Sequence, residues 1–283
     1  MKKSALAFLS APLLAVVLLA GCATPDPVSP PDPGAGAGGE SSAIELVGMW
    51  RVSDADGEND ETWLRLDAHE FMLWRDCGVI GGSWSASEQL FLAGVFSAMG
   101  DCVIDNTIPS VPWLESVVSY RASVGGWELL DAQGAVAASL TIDGKPEPRP
   151  DIIDYLTEPP VITDEMRELF RAAAPLPASL TAAGITDLLG RWNPIGEGEG
   201  TDAHVEFTSD GRYTGSDGCN GTMGRWAVGA AGELLATSGP STLMWCEGAP
   251  VPFWVSQAKR VGFDGASLVL LDIDGAELGR LAR

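Results

Sequence analysis

The chain is short of positive charge: 17 Lys and Arg stand against 39 Asp and Glu, a net of −22 over 283 residues. That balance repels phosphate backbones and anionic headgroups, so nucleic acid is excluded as a ligand. Histidine is scarcer still. His69 and His204 are the only two, and neither has the convergent partners that a hydrolytic triad or a histidine-based metal site needs. No two cysteines stand at the close C-x-x-C spacing usual in zinc sites and thioredoxin-like redox motifs. No catalytic residue, metal site or cofactor is read from these residues. The apolar run from Ala5 to Ala20 is also too short for a membrane span, which takes roughly 20 residues, and Pro12 interrupts it.

What the N-terminus does have is the layout of an export signal over residues 1–21: a basic head at Lys2 and Lys3, an apolar middle, and small residues at Ala20 and Gly21. Leu19-Ala20-Gly21-Cys22 resembles the lipobox of bacterial lipoproteins. The resemblance implies acylation of Cys22, cleavage just before it, and attachment to the cell membrane by lipid, facing outside the cytoplasm. Residues 22–43, rich in Pro, Gly, Ala and Ser, bury no core and read as a flexible tether. Loss of the two leader lysines leaves 15 Lys and Arg against 39 acids, or −24. The acids are scattered rather than blocked, which is the pattern of a solvated surface; the charge also suits a cationic protein partner.

The rest of the chain repeats itself. Leu46-Val47-Gly48-Met49-Trp50 recurs as Leu188-Leu189-Gly190-Arg191-Trp192, Cys77 as Cys219 and Gly82-Ser83-Trp84 as Gly224-Arg225-Trp226, each at an offset of 142. Cys102 matches Cys246 at 144, Val111-Pro112 matches Val251-Pro252 at 140, and Leu129-Leu130-Asp131 matches Leu270-Leu271-Asp272 at 141. Preserved order with so little drift indicates duplication of a domain, over 44–143 and 185–283. A Pro-rich linker, 144–184, separates them. In it Thr163 is placed to cap a short helix that carries Met166, Leu169, Phe170 and Ala173 on one face. Short alternating segments and Asp-Gly turns make each copy mainly β (α+β): an antiparallel curled sheet or partial barrel. One short helix per copy begins at Pro112 or Pro252, covering Trp113 to Tyr120 and Phe253 to about Arg260. The repeat-equivalent tryptophans Trp50, Trp84, Trp192 and Trp226 read as core.

Setting Cys22 aside leaves Cys77, Cys102, Cys219 and Cys246, one pair per copy at separations of 25 and 27. An even number in an oxidising compartment points to disulfides, most economically within copies, each adding about 3–4 kcal/mol in the chain-entropy model. An acidic, glycine-bearing loop follows the first strand of each copy, Asp54–Glu61 and Glu197–Asp202. Such loops can wrap a hard cation, but the spacing is not that of an EF-hand, and a solvated hairpin loop is the ordinary reading.

The second copy resembles the META domain, the HslJ-like family of small bacterial envelope proteins. The resemblance is carried by Leu189-Gly190-x-Trp192, Asp210-Gly211-Arg212-Tyr213, Gly218-Cys219-Asn220-x-x-x-Gly224 and Thr242-x-Met244-x-Cys246, and by the Leu268–Leu271 hairpin. The first copy is a degenerate relative: Gly78 replaces the asparagine, and Ala98-x-Gly100-x-Cys102 replaces the threonine and methionine. The resemblance implies a compact β-rich fold outside the cytoplasm and an association with envelope stress or drug tolerance, with no established catalytic residues. The expectation is a non-enzymatic, membrane-anchored envelope lipoprotein. A second reading is an acidic binding module that captures or inhibits a cationic extracellular protein.

Overall fold

The computed structural model describes residues 43–283 apart from 151, 153, 197, 199, 243 and 246; the expected export signal, Cys22 and the expected tether up to residue 42 lie outside the described residues. Short strands hold only as members of a paired sheet, and the two halves pair theirs in the same way. In the first, β1 (Gly48–Ser53), β2 (Trp63–Leu66), β3 (Glu70–Arg75), β4 (Gly78–Ala86), β5 (Phe91–Gly100), β6 (Val117–Ser123), β7 (Gly126–Asp131) and β8 (Val136–Thr141) form one antiparallel sheet. Its order is β5-β4-β3-β2-β1-β8-β7-β6. The second begins with the two-residue β9 (Thr181–Ala182), then β10 (Gly190–Pro194), β11 (Ala203–Phe207), β12 (Arg212–Asp217), β13 (Gly221–Val228), β14 (Leu234–Ala236), β15 (Arg260–Asp264), β16 (Ser267–Leu271) and β17 (Glu277–Ala282). Its order is β14-β13-β12-β11-β10-β17-β16-β15-β9. Apart from β9, the two orders coincide strand for strand. Each sheet curls until the two ends of the eight shared strands touch at one backbone bridge, Leu90 with Ser119 and Glu233 with Arg260.

The helices are α1 (Pro112–Ser116), α2 (Asp164–Leu169), α3 (Ile185–Leu188) and α4 (Val251–Gln257), with α1 and α4 at equivalent places beside the closing bridge. Both stop sooner than the expected Tyr120 and Arg260. The Val117 N–H closes on Leu114 O, after which the β-branched pair Val117–Val118 extends into β6, where Tyr120 lies. The Ala258 N–H likewise closes on Trp254 O, and Arg260 opens β15. Each half also carries one helical turn before its first strand, the 3-10 turn Ala43–Leu46 and α3. These turns end at the carbonyls that receive the indoles of Trp50 and Trp192, Leu46 O and Leu188 O, both at 2.7 Å. Trp84 donates to Asp67 O (2.6 Å) and Trp226 to Arg212 O (2.9 Å), which ties each indole to a β-turn of its own half. All four rings are buried, with their N–H groups satisfied as buried polar groups require.

Two equivalent glycines decide how tightly each sheet can curl. A Cβ on Gly82 would lie 2.0 Å from Gly94 O and 2.6 Å from the Phe71 ring; one on Gly224 would lie 2.1 Å from Thr237 O and 2.6 Å from the Tyr213 ring. In both halves an aromatic ring therefore sits over bare backbone.

The linker adheres to both halves. Ile152 joins Met49, Trp63, Trp74 and Val79 on the outer face of the first sheet. The Thr163 hydroxyl accepts from Met166 N (3.2 Å) to cap α2, Met166 enters the first core, and the Phe170 ring stacks on Trp84 at 5.2 Å. Beyond it Arg171 pairs with Asp274 and Ala174 N donates to Ile273 O in the second half. Replacing Gly82 or Gly224 by Ala should cost about 2–3 kcal/mol in urea denaturation, the range of overpacking. Gly221→Ala, where the nearest atom to a new Cβ is at 4.0 Å, should be nearly neutral.

Candidate functional site

The motif residues of the second half build a clamp. Asp217 turns the chain back: its Oδ1 accepts from Cys219 N (2.9 Å) and Asn220 N (2.6 Å) and its Oδ2 from Asn220 Nδ2 (2.9 Å). The buried Asn220 side chain then bonds the Met244 backbone twice, donating to its carbonyl and accepting from its N–H, both at 2.7 Å. An amide side chain thus does what a neighbouring strand would do. In the first half the equivalent pair is Gly78 and Gly100, which are cross-strand partners between β4 and β5. A Cβ on Gly78 (φ +143°) would fall 2.1 Å from Met99 O. The missing asparagine is therefore replaced by a closer backbone approach that only glycine permits. The clamp presents Met244 and Trp245 to solvent, at 62% and 85% exposure.

The second feature is the seam where β4 and β5 meet β13 and β14. Arg225 and Ser83, at equivalent positions, each reach across it: Arg225 Nη1 donates to Ala93 O (3.3 Å) and Ser83 Oγ to Ser238 O (2.6 Å). Gly94 lets Thr237 approach, and the Thr237 hydroxyl accepts from Arg225 N (3.0 Å). Burial pushes the Arg225 guanidinium below its ordinary value, with Glu115 acting in the opposite direction. A cleft of about 360 Å³ opens beside it, walled by Val95, Phe96, Ile108, Met223 and Pro240. At its mouth Arg212 pairs with Glu115 at 2.9 Å, a further contact between the halves. Apolar walls with a few fixed charges are the usual make-up of a small-molecule site.

Of the residues singled out in the sequence, Cys22 and Cys246 lie outside the described residues. Cys77 and Cys102 form a disulfide with Cα atoms 4.7 Å apart, and Cys219 is disulfide-bonded as well. His204 sits in β11 with Nδ1 2.7 Å from Asp202 O, whereas His69 lies at the seam, close to Lys259. The first acidic loop folds onto its own half through Glu58, whose buried carboxylate accepts from Trp113 Nε1 (2.6 Å) and Thr62 Oγ1 (3.2 Å) and pairs with Arg75. In the second loop Asp202 pairs with Arg191 at 2.7 Å. Arg225 and Lys259 were not singled out in the sequence. The available signals were a departure from the repeat at Ser83 and the rarity of lysine, of which the chain has four.

Residues 190–283 match the META domain. No curated protein and no solved structure matches the chain. The chain thus contains a META domain, built on β10 to β17 and the Asn220 clamp, which suggests an envelope-associated or stress-related role.

Asn220→Ala should lower stability by about 2 kcal/mol in urea, the sum expected for two buried hydrogen bonds, and should open the loop around Met244 to protease. Asp217 adds a pH signature. Partial desolvation raises its carboxyl, but the bonds from the Asn220 side chain and the Asn220 and Cys219 amides outweigh it, so it titrates below the ordinary 3.8. Its contribution is complete above pH 3.8 and is lost as pH falls through the folded value. The stability gap between wild type and Asp217→Asn, followed by denaturation between pH 6 and pH 2, should shrink on the acid side.

Proposed function

We propose that the chain is a non-enzymatic envelope lipoprotein, held to the outer side of a cell membrane by lipid on Cys22 and serving envelope maintenance or stress and drug tolerance. The META domain over 190–283 carries this reading. The first half is a degenerate META-like copy. The common strand order, the matched tryptophan bonds and the matched ring-over-glycine contacts support that relation. The tether 22–43 spaces the two-half body from the surface, and the linker and seam make the halves one unit.

Two disulfides within the halves, Cys77–Cys102 and Cys219–Cys246, belong to the same reading, since an oxidising compartment keeps them closed. Intact mass of membrane-extracted protein, alkylated with and without reduction, tests it. The expected result is a lipid-sized addition that disappears in Cys22→Ser, with four thiols reacting only after reduction. A chain without lipid, or with free thiols at those positions, would place the protein in another compartment and overturn the reading. A deletion strain should be more sensitive to envelope-active drugs, and Cys22→Ser should fail to restore tolerance.

A further inference from the structure

The seam contains a second groove, on the side of the linker helix. Two adjoining cavities of about 280 and 210 Å³ share Ala86, Leu169, Phe170 and Lys259 among their lining residues. The first half contributes Ala86 and His69, the second Lys259, and the linker Leu169 and Phe170. Lys259 has its backbone held from both sides, its N–H donating to Leu271 O (2.8 Å) and its carbonyl accepting from Leu234 N (3.1 Å). The fold therefore sets where its side chain emerges.

Several other cations of this acidic chain have found partners. Lys145 pairs with Glu158 and Arg212 with Glu115, while Arg225 and Arg260 bond the carbonyls of Ala93 and Ala174. Arg167 has no such partner, but it lies exposed on α2, where water serves. Lys259 is half-buried, and among the described residues its ammonium has neither a carboxylate nor a hydrogen-bond acceptor. Its ammonium is not sealed off and reaches the space of the groove. With 39 acids available, this vacancy is a specific feature of the seam rather than a shortage of counter-charge.

The surroundings define what would fill it. Burial lowers the Lys259 amine with no neighbouring charge to offset it. His69 is lowered from 6.5 by burial first and then by Lys259, so at neutral pH it is an uncharged imidazole with one donor and one acceptor. Lys259 is the one acidic or basic side chain besides His69 that lines the 280 Å³ cavity; the 210 Å³ cavity adds Arg171 and Arg260 with Glu88 and Glu233, two of each sign. The Phe170 ring, fixed by stacking on Trp84 at 5.2 Å and 27°, and Leu169 supply apolar wall.

We propose that this groove binds a small organic monoanion, a carboxylate on a flat apolar body, with the carboxylate on the Lys259 ammonium and the body against Phe170 and Leu169. Arg171 and Arg260 are held by Asp274 and the Ala174 carbonyl, so the one unpartnered cation, Lys259, matches a single negative charge. A multiply charged phosphate would be left undercompensated within a chain of net charge −22. The proposal does not depend on the envelope role.

The test uses the full chain with benzoate, its neutral isostere benzamide, and inorganic phosphate, followed by calorimetry and ligand-observed NMR. Benzoate should saturate one site, with benzamide and phosphate at least tenfold weaker. Lys259→Gln should weaken benzoate at least tenfold and Phe170→Ala should weaken it several-fold, while Lys145→Gln leaves it unchanged. Lys259→Met should melt no lower than wild type, because it removes an unpaired charge and keeps the stem, and so separates loss of binding from loss of fold. Unsaturable benzoate, equal binding of benzoate and benzamide, phosphate as tight as benzoate, or full affinity in a folded Lys259→Gln or Lys259→Met variant would each overturn the proposal.

Discussion

Each sheet curls until its two edges can touch, but they touch at a single backbone bridge, and this incomplete closure governs the rest of the architecture. Eight short strands with one buried face cannot stay flat without exposing that face. They curl, and the curl is possible only because Gly82 and Gly224 leave room for an aromatic ring and the next strand's carbonyl. Where the edges part, α1 and α4 lie beside the bridge and bury Trp113, Leu114, Trp254 and Val255. The edge strands left over, β5 and β14, have little to pair with except each other's half. The seam follows from that need.

Seen from the seam, the family motif and the acidic loop are structural solutions to local shortages of backbone pairing. β14 ends at Ala236, where β5 continues to Gly100. The second half thus lacks the ladder that would hold the segment carrying Met244, and Asn220 supplies two hydrogen bonds in its place. Glu58 does comparable work in the first half, turning a loop of acids inward onto Arg75 and Trp113. A buried carboxylate in such a position is costly to strip of its partners, about 3–5 kcal/mol for a broken buried pair. That cost marks the loop as part of the framework.

Much of this was legible in the residues because it is local or periodic. The 142-residue offset anticipated a common strand order, and proline placed the starts of α1 and α4. Thr163, Asp164 and Met166 specified the linker helix down to its cap. The end of α1 was missed because Trp113, Val117 and Tyr120 fall at helical spacing; β-branching at Val117 and Val118 extends the chain instead, and a bulge between Val117 and Ser119 lets both Val117 and Tyr120 turn inward. Gly78 read as decay of the motif, whereas its cross-strand partner 22 residues on reveals a compensated exchange. The seam residues were beyond reach of any pattern. Whether Arg225 or Lys259 finds a counter-charge depends on which strands of the other half face it, and no spacing records that.

The seam joins like to like: β4 and β5 meet their own counterparts, and Ser83 and Arg225 cross it in opposite directions. That is the geometry of a two-fold interface drawn within one polypeptide. Two identical chains joined this way would be obliged to carry every groove in duplicate, each with the same charge. Two halves on one chain are under no such obligation. The position that matches Lys259, one residue before the bridge residue Ser119, is Val118, so the ammonium stands on one side of the joint alone. The molecule therefore has a polarity that a symmetric pair could never have, with a front and a back to its waist.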